Sequence, residues 1–189
     1  MMAKIRKMRP EDIGDVEYIC RMTAGPGCRK DPVAGNRIAK TYSTYYVREC
    51  CDTCFALADE NDKAVGYVLC EPNYKRFRKI YRKVDVPAIT ALRKESGRKA
   101  RFIPVPYTVF GAKYPAHLHV DILDEYQNKG YGSKLLETLF AELKKRNIKG
   151  VMLTTDSDNK GAVRFYERHG FKILVEIQGG IVMVKKLGD

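Results

Sequence analysis

The sequence predicts one mixed α/β domain with a central, mainly antiparallel sheet flanked by helices. Three observations carry that expectation. Short runs of strand length recur between segments of helical periodicity. Two pairs of such runs, within 55–70 and 171–186, are separated by only a few turn residues and read as antiparallel hairpins. Between them, Ala116-His117-Leu118-His119-Val120-Asp121-Ile122 alternates apolar and polar residues, then meets Gln127-Asn128-Lys129-Gly130-Tyr131-Gly132 and an unbroken amphipathic helix pattern.

The chain has 189 residues, 44% of them hydrophobic and 31% charged, enough to bury a core without staples. No apolar run is long enough to cross a bilayer. The basic start, Met1 to Pro10, lacks an apolar stretch, so no signal peptide is expected and the expected location is the cytoplasm. No repeat or low-complexity linker is visible, and residues 1–189 are expected to form a single domain.

Taken in order, Lys4–Met8 reads as a first strand, and Pro10-Glu11-Asp12 opens a helix with acids in its first turn. Gly25-Pro26-Gly27 breaks the chain, and a second helix is expected over Val33–Arg48. Phe55–Asp59 and Ala64–Cys70 form a strand pair, which Glu71-Pro72 ends. Leu135, Leu139 and Leu143 make one apolar stripe after the glycine turn, and Lys144, Lys145 and Arg146 favour the end of that helix. Val151–Thr155 is a short strand, Gly161–His169 a helix, and Phe171–Ile177 and Ile181–Lys186 two strands joined through Gln178-Gly179-Gly180.

A glycine turn that leaves a strand and opens a helix presents free N–H groups at the positive end of the helix dipole. That arrangement suits a phosphate or pyrophosphate, and glycine lets the backbone approach it.

The run strand, Gln127-x-x-Gly130-x-Gly132, helix, strand, then Asn159-x-x-Ala162-x-x-Phe165-Tyr166-x-x-x-Gly170-Phe171 resembles the GNAT superfamily of acetyl-coenzyme A-dependent N-acetyltransferases, most closely over 116–177. The segment Tyr114 to Asp121 also resembles the acetyltransferase-like domain of some O-GlcNAc hydrolases and its free-standing bacterial relatives. The resemblance implies acetyl-coenzyme A as cosubstrate, an amine acceptor, and a sheet splayed beside Gln127. It implies that backbone groups of Val120 and Ile122 pair with the pantetheine arm, with the Ile122 N–H facing the developing oxyanion. It implies that Asn128, Lys129, Gly130, Tyr131, Gly132 and Ser133 hold the pyrophosphate, that Gln127 braces their turn and that Asn159 contacts pantetheine. Tyr166 matches the tyrosine beside the cofactor sulfur, where a phenol can protonate a leaving thiolate.

Alternation sends His117, His119 and Asp121 to one strand face. His119 with Asp121 is the expected general base, because a carboxylate neighbour can hold an imidazole. Glu71 acting through a water is the alternative, and Ala116 stands at one position where related enzymes carry the base.

Residues 73–113 depart from the usual short turn. They hold twelve Lys and Arg against Asp85 and Glu95, a net +10 of the chain's +12. A short helix is expected at Val86–Lys94 and an extended loop at Phe102–Phe110. This basic insertion is expected to cover the acceptor site and attract an anionic substrate or the cofactor's phosphates, against the plainer reading of a solvated surface. Tyr74, Phe77 and Tyr81 among the cations would suit nucleic acid, which ranks lower because no nucleic-acid motif accompanies them.

Cys51-x-x-Cys54 has no second pair and no nearby histidine, so no metal site is expected and Cys50, Cys51 and Cys54 read as small buried hydrophobes. A second copy of the chain stands as a possible partner, and a membrane does not. Two functions follow: acetyl transfer to a primary amine, or a catalytically idle coenzyme A-binding regulatory domain. An open His119/Asp121/Tyr166 site favours the first, and a pocket blocked by 73–113 the second.

Overall fold

The computed structural model describes residues 2–177 and 179–188. Seven strands form one sheet in the order β1-β2-β3-β4-β5-β7-β6. They are β1 (Lys4–Lys7), β2 (Phe55–Ala58), β3 (Ala64–Glu71), β4 (Ala116–Ile122), β5 (Gly150–Asp156), β6 (Lys172–Ile177) and β7 (Gly180–Lys186). Every neighbouring pair is antiparallel except β4 and β5. The expected hairpin between β6 and β7 is present, although its turn residue Gln178 lies outside the described residues.

The N-terminal helices are α1 (Ile13–Thr23), α2 (Pro26–Lys30), α3 (Pro32–Tyr42) and α4 (Thr44–Glu49). Gly25, at φ 95°, ends α1, but Pro26 then opens α2 instead of leaving a loop. The single helix expected over 33–48 is two, broken at Ser43, whose Oγ donates back to the Ala39 carbonyl at 2.9 Å. That back-bond and the following Thr44-Tyr45-Tyr46, all modest helix formers, explain the break.

The insertion is helical throughout. It comprises α5 (Tyr74–Ile80), a π turn (Tyr81–Asp85), α6 (Val86–Leu92), α7 (Lys94–Ala100) and α8 (Pro104–Phe110). The loop expected over 102–110 is therefore corrected: Pro104 and Pro106 fall in the first turn of α8, where a missing N–H costs nothing. Glu71 closes the base of this unit. Its buried carboxylate accepts from Tyr45 Oη (2.6 Å), Arg76 Nη1 (2.8 Å), Cys50 Sγ (3.2 Å) and the Asn73 N–H (2.9 Å).

Beyond β4 come α9 (Tyr131–Lys145) and α10 (Lys160–Arg168). Leu135, Leu136, Leu139 and Leu143 of α9 are fully buried and join β2, β3 and α10 in one core. The other core, on the opposite face of the sheet, packs α1, α3 and α4 with Phe77, Tyr81 and Tyr107 of the insertion. Cys20, Cys50, Cys54 and Cys70 are buried thiols within these cores.

One irregularity positions the site. β4 and β5 each have seven residues, yet pair only at Ala116↔Val151 and His117↔Met152. Past that point the two strands diverge, and a V-shaped gap opens in the middle of the sheet.

Candidate active site

β4 meets β3 in register from Gly66↔Ile122 to Glu71↔His117, and the Leu123 N–H donates to the Val65 carbonyl. Antiparallel alternation then turns the backbone groups of the odd-numbered residues of β4 towards β3. Beyond the last β4–β5 pair, the N–H and C=O groups of Val120 and the N–H of Ile122 are left directed at the gap.

On one side of β4 a cleft of about 610 Å³ is lined by Val120, Asp121, Ile122, the 127–133 turn, Asn159 and Tyr166. None of the backbone N–H groups from Asn128 to Ser133 has an acceptor among the described residues, and no side chain caps α9. Gly130 adopts φ 78°, and a Cβ added there would meet nothing within 4 Å. This cradle of unpaired donors fits the pyrophosphate of coenzyme A.

The individual side chains divide. Gln127 Nε2 donates to the Ile122 carbonyl at 2.7 Å and to Asp124 Oδ1 at 3.2 Å, tying the turn to the strand end. Gln127, Asn128, Gly130, Gly132 and Ser133 line the cleft, whereas the side chains of Lys129 and Tyr131 point elsewhere. Lys129 Nζ donates to the Glu125 carbonyl, and Tyr131 Oη accepts from the Ala3 N–H, so these two can offer only their backbone. Asn159 Oδ1 accepts from the Ala162 N–H and caps α10, which leaves its amide nitrogen for the cleft. Tyr166 packs edge-on against Phe165 and Phe171, and its hydroxyl has no partner among the described residues. Burial, with the charge of Asp121 nearby, pushes this phenol well above its ordinary range, so it keeps its proton.

Next to this cleft lies a second one of about 760 Å³, lined by Tyr42, His119, Thr154 and Asp156 together with Lys99 and Tyr107 of the insertion. His119 Nε2 is 3.2 Å from Asp121 Oδ2, and its Nδ1 is 3.1 Å from the Tyr42 carbonyl. Tyr67 Oη donates to the same Asp121 oxygen at 2.6 Å. Burial and the nearby carboxylate hold the Tyr67 proton on its oxygen. Asp121 Oδ1 has no donor among the described residues.

Residues 28–171 match the Acetyltransferase (GNAT) family. The chain belongs to the GNAT family. It is 33% identical over 73 residues to the N-acetyltransferase MJ1207 of Methanocaldococcus jannaschii, a match spanning 38% of this chain and 32% of that protein. It is 38% identical over 50 residues to N-alpha-acetyltransferase 30 of Schizosaccharomyces pombe, spanning 26% of this chain and 33% of that one. These matches thus cover about a third of the length of the curated relatives. Among solved structures, SsHAT superposes with a TM-score of 0.89 at 30% identity over 100% of both chains. The PaiA N-acetyltransferase of Thermoplasma acidophilum, solved with coenzyme A, shares the fold at a TM-score of 0.65 and 16% identity, over 98% and 99% of the two chains.

The structure bears on three sequence expectations. His117 shares the face of His119, as alternation predicts, but is fully buried there, stacked on Tyr107 at 4.0 Å between ring centres, with neither ring nitrogen partnered. Glu71 does not suit the role of base: it is fully buried, donors occupy both its oxygens, and it lines neither cleft. The insertion does wall the second cleft, and of its twelve cations Lys99 is the one that lines it. Phe77 and Tyr81 are buried, which leaves Tyr74 alone of the three aromatics for nucleic-acid stacking. Tyr67 and Tyr42 were missed. The one signal for Tyr67 was its cross-strand pairing with Asp121, which exists only once the β3–β4 register is known.

Proposed function

We propose that this GNAT protein transfers an acetyl group from acetyl-coenzyme A to a primary amine that enters through the cleft beside His119. The observation that carries the reading is the close pair His119–Asp121 on one face of β4, whose two members line the two clefts. An insertion that walls the second cleft without filling it supports transfer over a catalytically idle role.

Bound acetyl-coenzyme A supplies the activated acyl carbon. The N–H groups from Asn128 to Ser133 hold its phosphates, and the backbone of Val120 and Ile122 aligns its arm along the gap. Asp121 Oδ1 accepts the proton of the incoming amine. His119 Nδ1 meets the Tyr42 carbonyl, its Nε2 lies 3.2 Å from Asp121 Oδ2, and Tyr67 donates to that same oxygen. His119 and Tyr67 therefore hold the carboxylate that does the work, a narrower role than base for the imidazole. Tyr166, which keeps its proton, donates it to the departing thiolate. A cytoplasmic setting accords with six free thiols.

The test is thiol release from acetyl-coenzyme A across a panel of amines, aminosugars and peptide N-termini. Release that requires one acceptor class and is lost in Asp121→Asn is expected. Thermal stabilisation by coenzyme A with no release from any acceptor would instead establish the idle reading.

A further inference from the structure

Part of the insertion's charge forms a stripe that lines neither cleft. Lys75, Arg78, Lys79 and Arg82 follow one another at helical spacing along α5 and the π turn, so they share one face. Phe77 and Tyr81 occupy the opposite, buried face, and Arg76 turns inward to Glu71. None of the four outward cations has an acidic or hydrogen-bonding partner among the described residues. Like charges stacked at this spacing destabilise a helix, so folding does not account for them.

These four side chains line a groove of about 610 Å³ with Tyr74 and Thr108. Arg82 also forms the lip of a second groove, of about 860 Å³, whose walls are Val86, Pro87, Ala91, Phe102 and Val105 and whose far lip is Arg101. Phe102 is 71% exposed and Val105 38%. Apolar surface of this kind, rimmed by charge, marks an interaction site. Neither groove shares a lining residue with the cofactor or acceptor clefts.

We propose that the two grooves together form a docking surface for an acidic amphipathic segment of a partner protein. Its apolar side chains fill the Val86–Val105 groove, and its Asp and Glu side chains meet Lys75, Arg78, Lys79 and Arg82. Charge complementarity selects an acidic partner, and the concave apolar wall selects a segment that projects side chains into it. A nucleic acid would use the cations and leave the apolar half empty, with Phe77 and Tyr81 unavailable for stacking. The proposal does not rest on acetyl transfer.

The experiment measures fluorescence anisotropy of a labelled helical peptide of glutamate and leucine, with the leucines on one face, against the full chain. A peptide of the same composition with the leucines spread around the helix is the control. The one-faced peptide should bind at least about tenfold tighter than the control and weaken as salt rises. Arg78→Glu with Arg82→Glu, and separately Phe102→Ser with Val105→Asp, should each weaken it by about tenfold or more while circular dichroism and the thermal shift by coenzyme A are unchanged. Equal binding of both peptides, no binding of either, or tighter binding of duplex DNA or phosphatidylserine vesicles than of the one-faced peptide would overturn the proposal.

Discussion

His119 and Asp121 touch, Nε2 to Oδ2 at 3.2 Å, yet line different clefts: His119 the one walled by the insertion, Asp121 the one beside the glycine turn. They stand two residues apart on one strand, so the sheet's own period of two brings their side chains together.

This pair sets the first prediction. Asp121→Asn should lower kcat/KM by about 10²-fold or more, since general-base catalysis is removed at constant shape. Tyr67→Phe removes only the 2.6 Å hydrogen bond to Asp121 and should cost about tenfold in kcat/KM. Steady-state kinetics checks both, and an unchanged kcat/KM in Tyr67→Phe would show that Tyr67 does not orient the carboxylate.

Gly130 tests the cradle. At φ 78° any side chain is strained, but open space lies where the Cβ would go, so variants here should still fold. Gly130→Asn and Gly130→Asp are matched in shape, and asparagine tolerates this backbone well. Thermal stabilisation by coenzyme A should persist in Gly130→Asn and vanish in Gly130→Asp, whose carboxylate opposes the phosphates.

For Tyr166, the phenylalanine variant keeps the contacts with Phe165 and Phe171 and removes the proton. Coenzyme A should bind as before, while turnover falls by about 10²-fold. Calorimetry and thiol release together check this, and full turnover would reduce Tyr166 to a packing residue.

His117 predicts a pH effect on stability. Burial lowers its pKa from the ordinary 6.5 to about 3, so the folded ring stays neutral where the unfolded chain takes up a proton. Stability is then full above about 6.5 and is lost as pH falls towards 3, at up to about 1.4 kcal/mol per pH unit from this group. His117→Phe keeps the stack on Tyr107, removes two orphaned nitrogens, and should raise the melting temperature and flatten that acid slope. Urea titrations of both proteins between pH 7 and 4 supply the comparison.

The strand at 116–122 and the turn at 127–132 were legible because both are local patterns: alternation along seven residues, then glycines placed where a helix begins. The same holds for the leucine stripe of α9. What the sequence concealed depends on neighbours distant in the chain. Tyr67 becomes part of the site only because Tyr67 pairs with Asp121, and His117 leaves it only because Tyr107 lies over the ring. The proline-rich stretch before Phe110 looked extended because proline was read as a breaker, whereas proline in a first turn starts a helix. The direction of the insertion's charge was likewise invisible, since a count of cations carries no side.

The insertion leaves the sheet after Glu71 and returns before Ala116, and the Tyr74 N–H donates to the Pro115 carbonyl at 3.0 Å between its two stems. Those stems belong to strands already paired with each other, at Glu71↔His117. The covalent connections of the helical excursion thus pass through a neck one residue pair wide, while Phe77, Tyr81 and Tyr107 anchor it in the core. Because the entropy of closing a loop rises only slowly with its length, its outer helices can be lengthened, trimmed or exchanged while the glycine turn and the gap in the sheet stay as they are. The cofactor cradle and the outer grooves occupy separate parts of this molecule, and over evolutionary time each is free to change at its own pace.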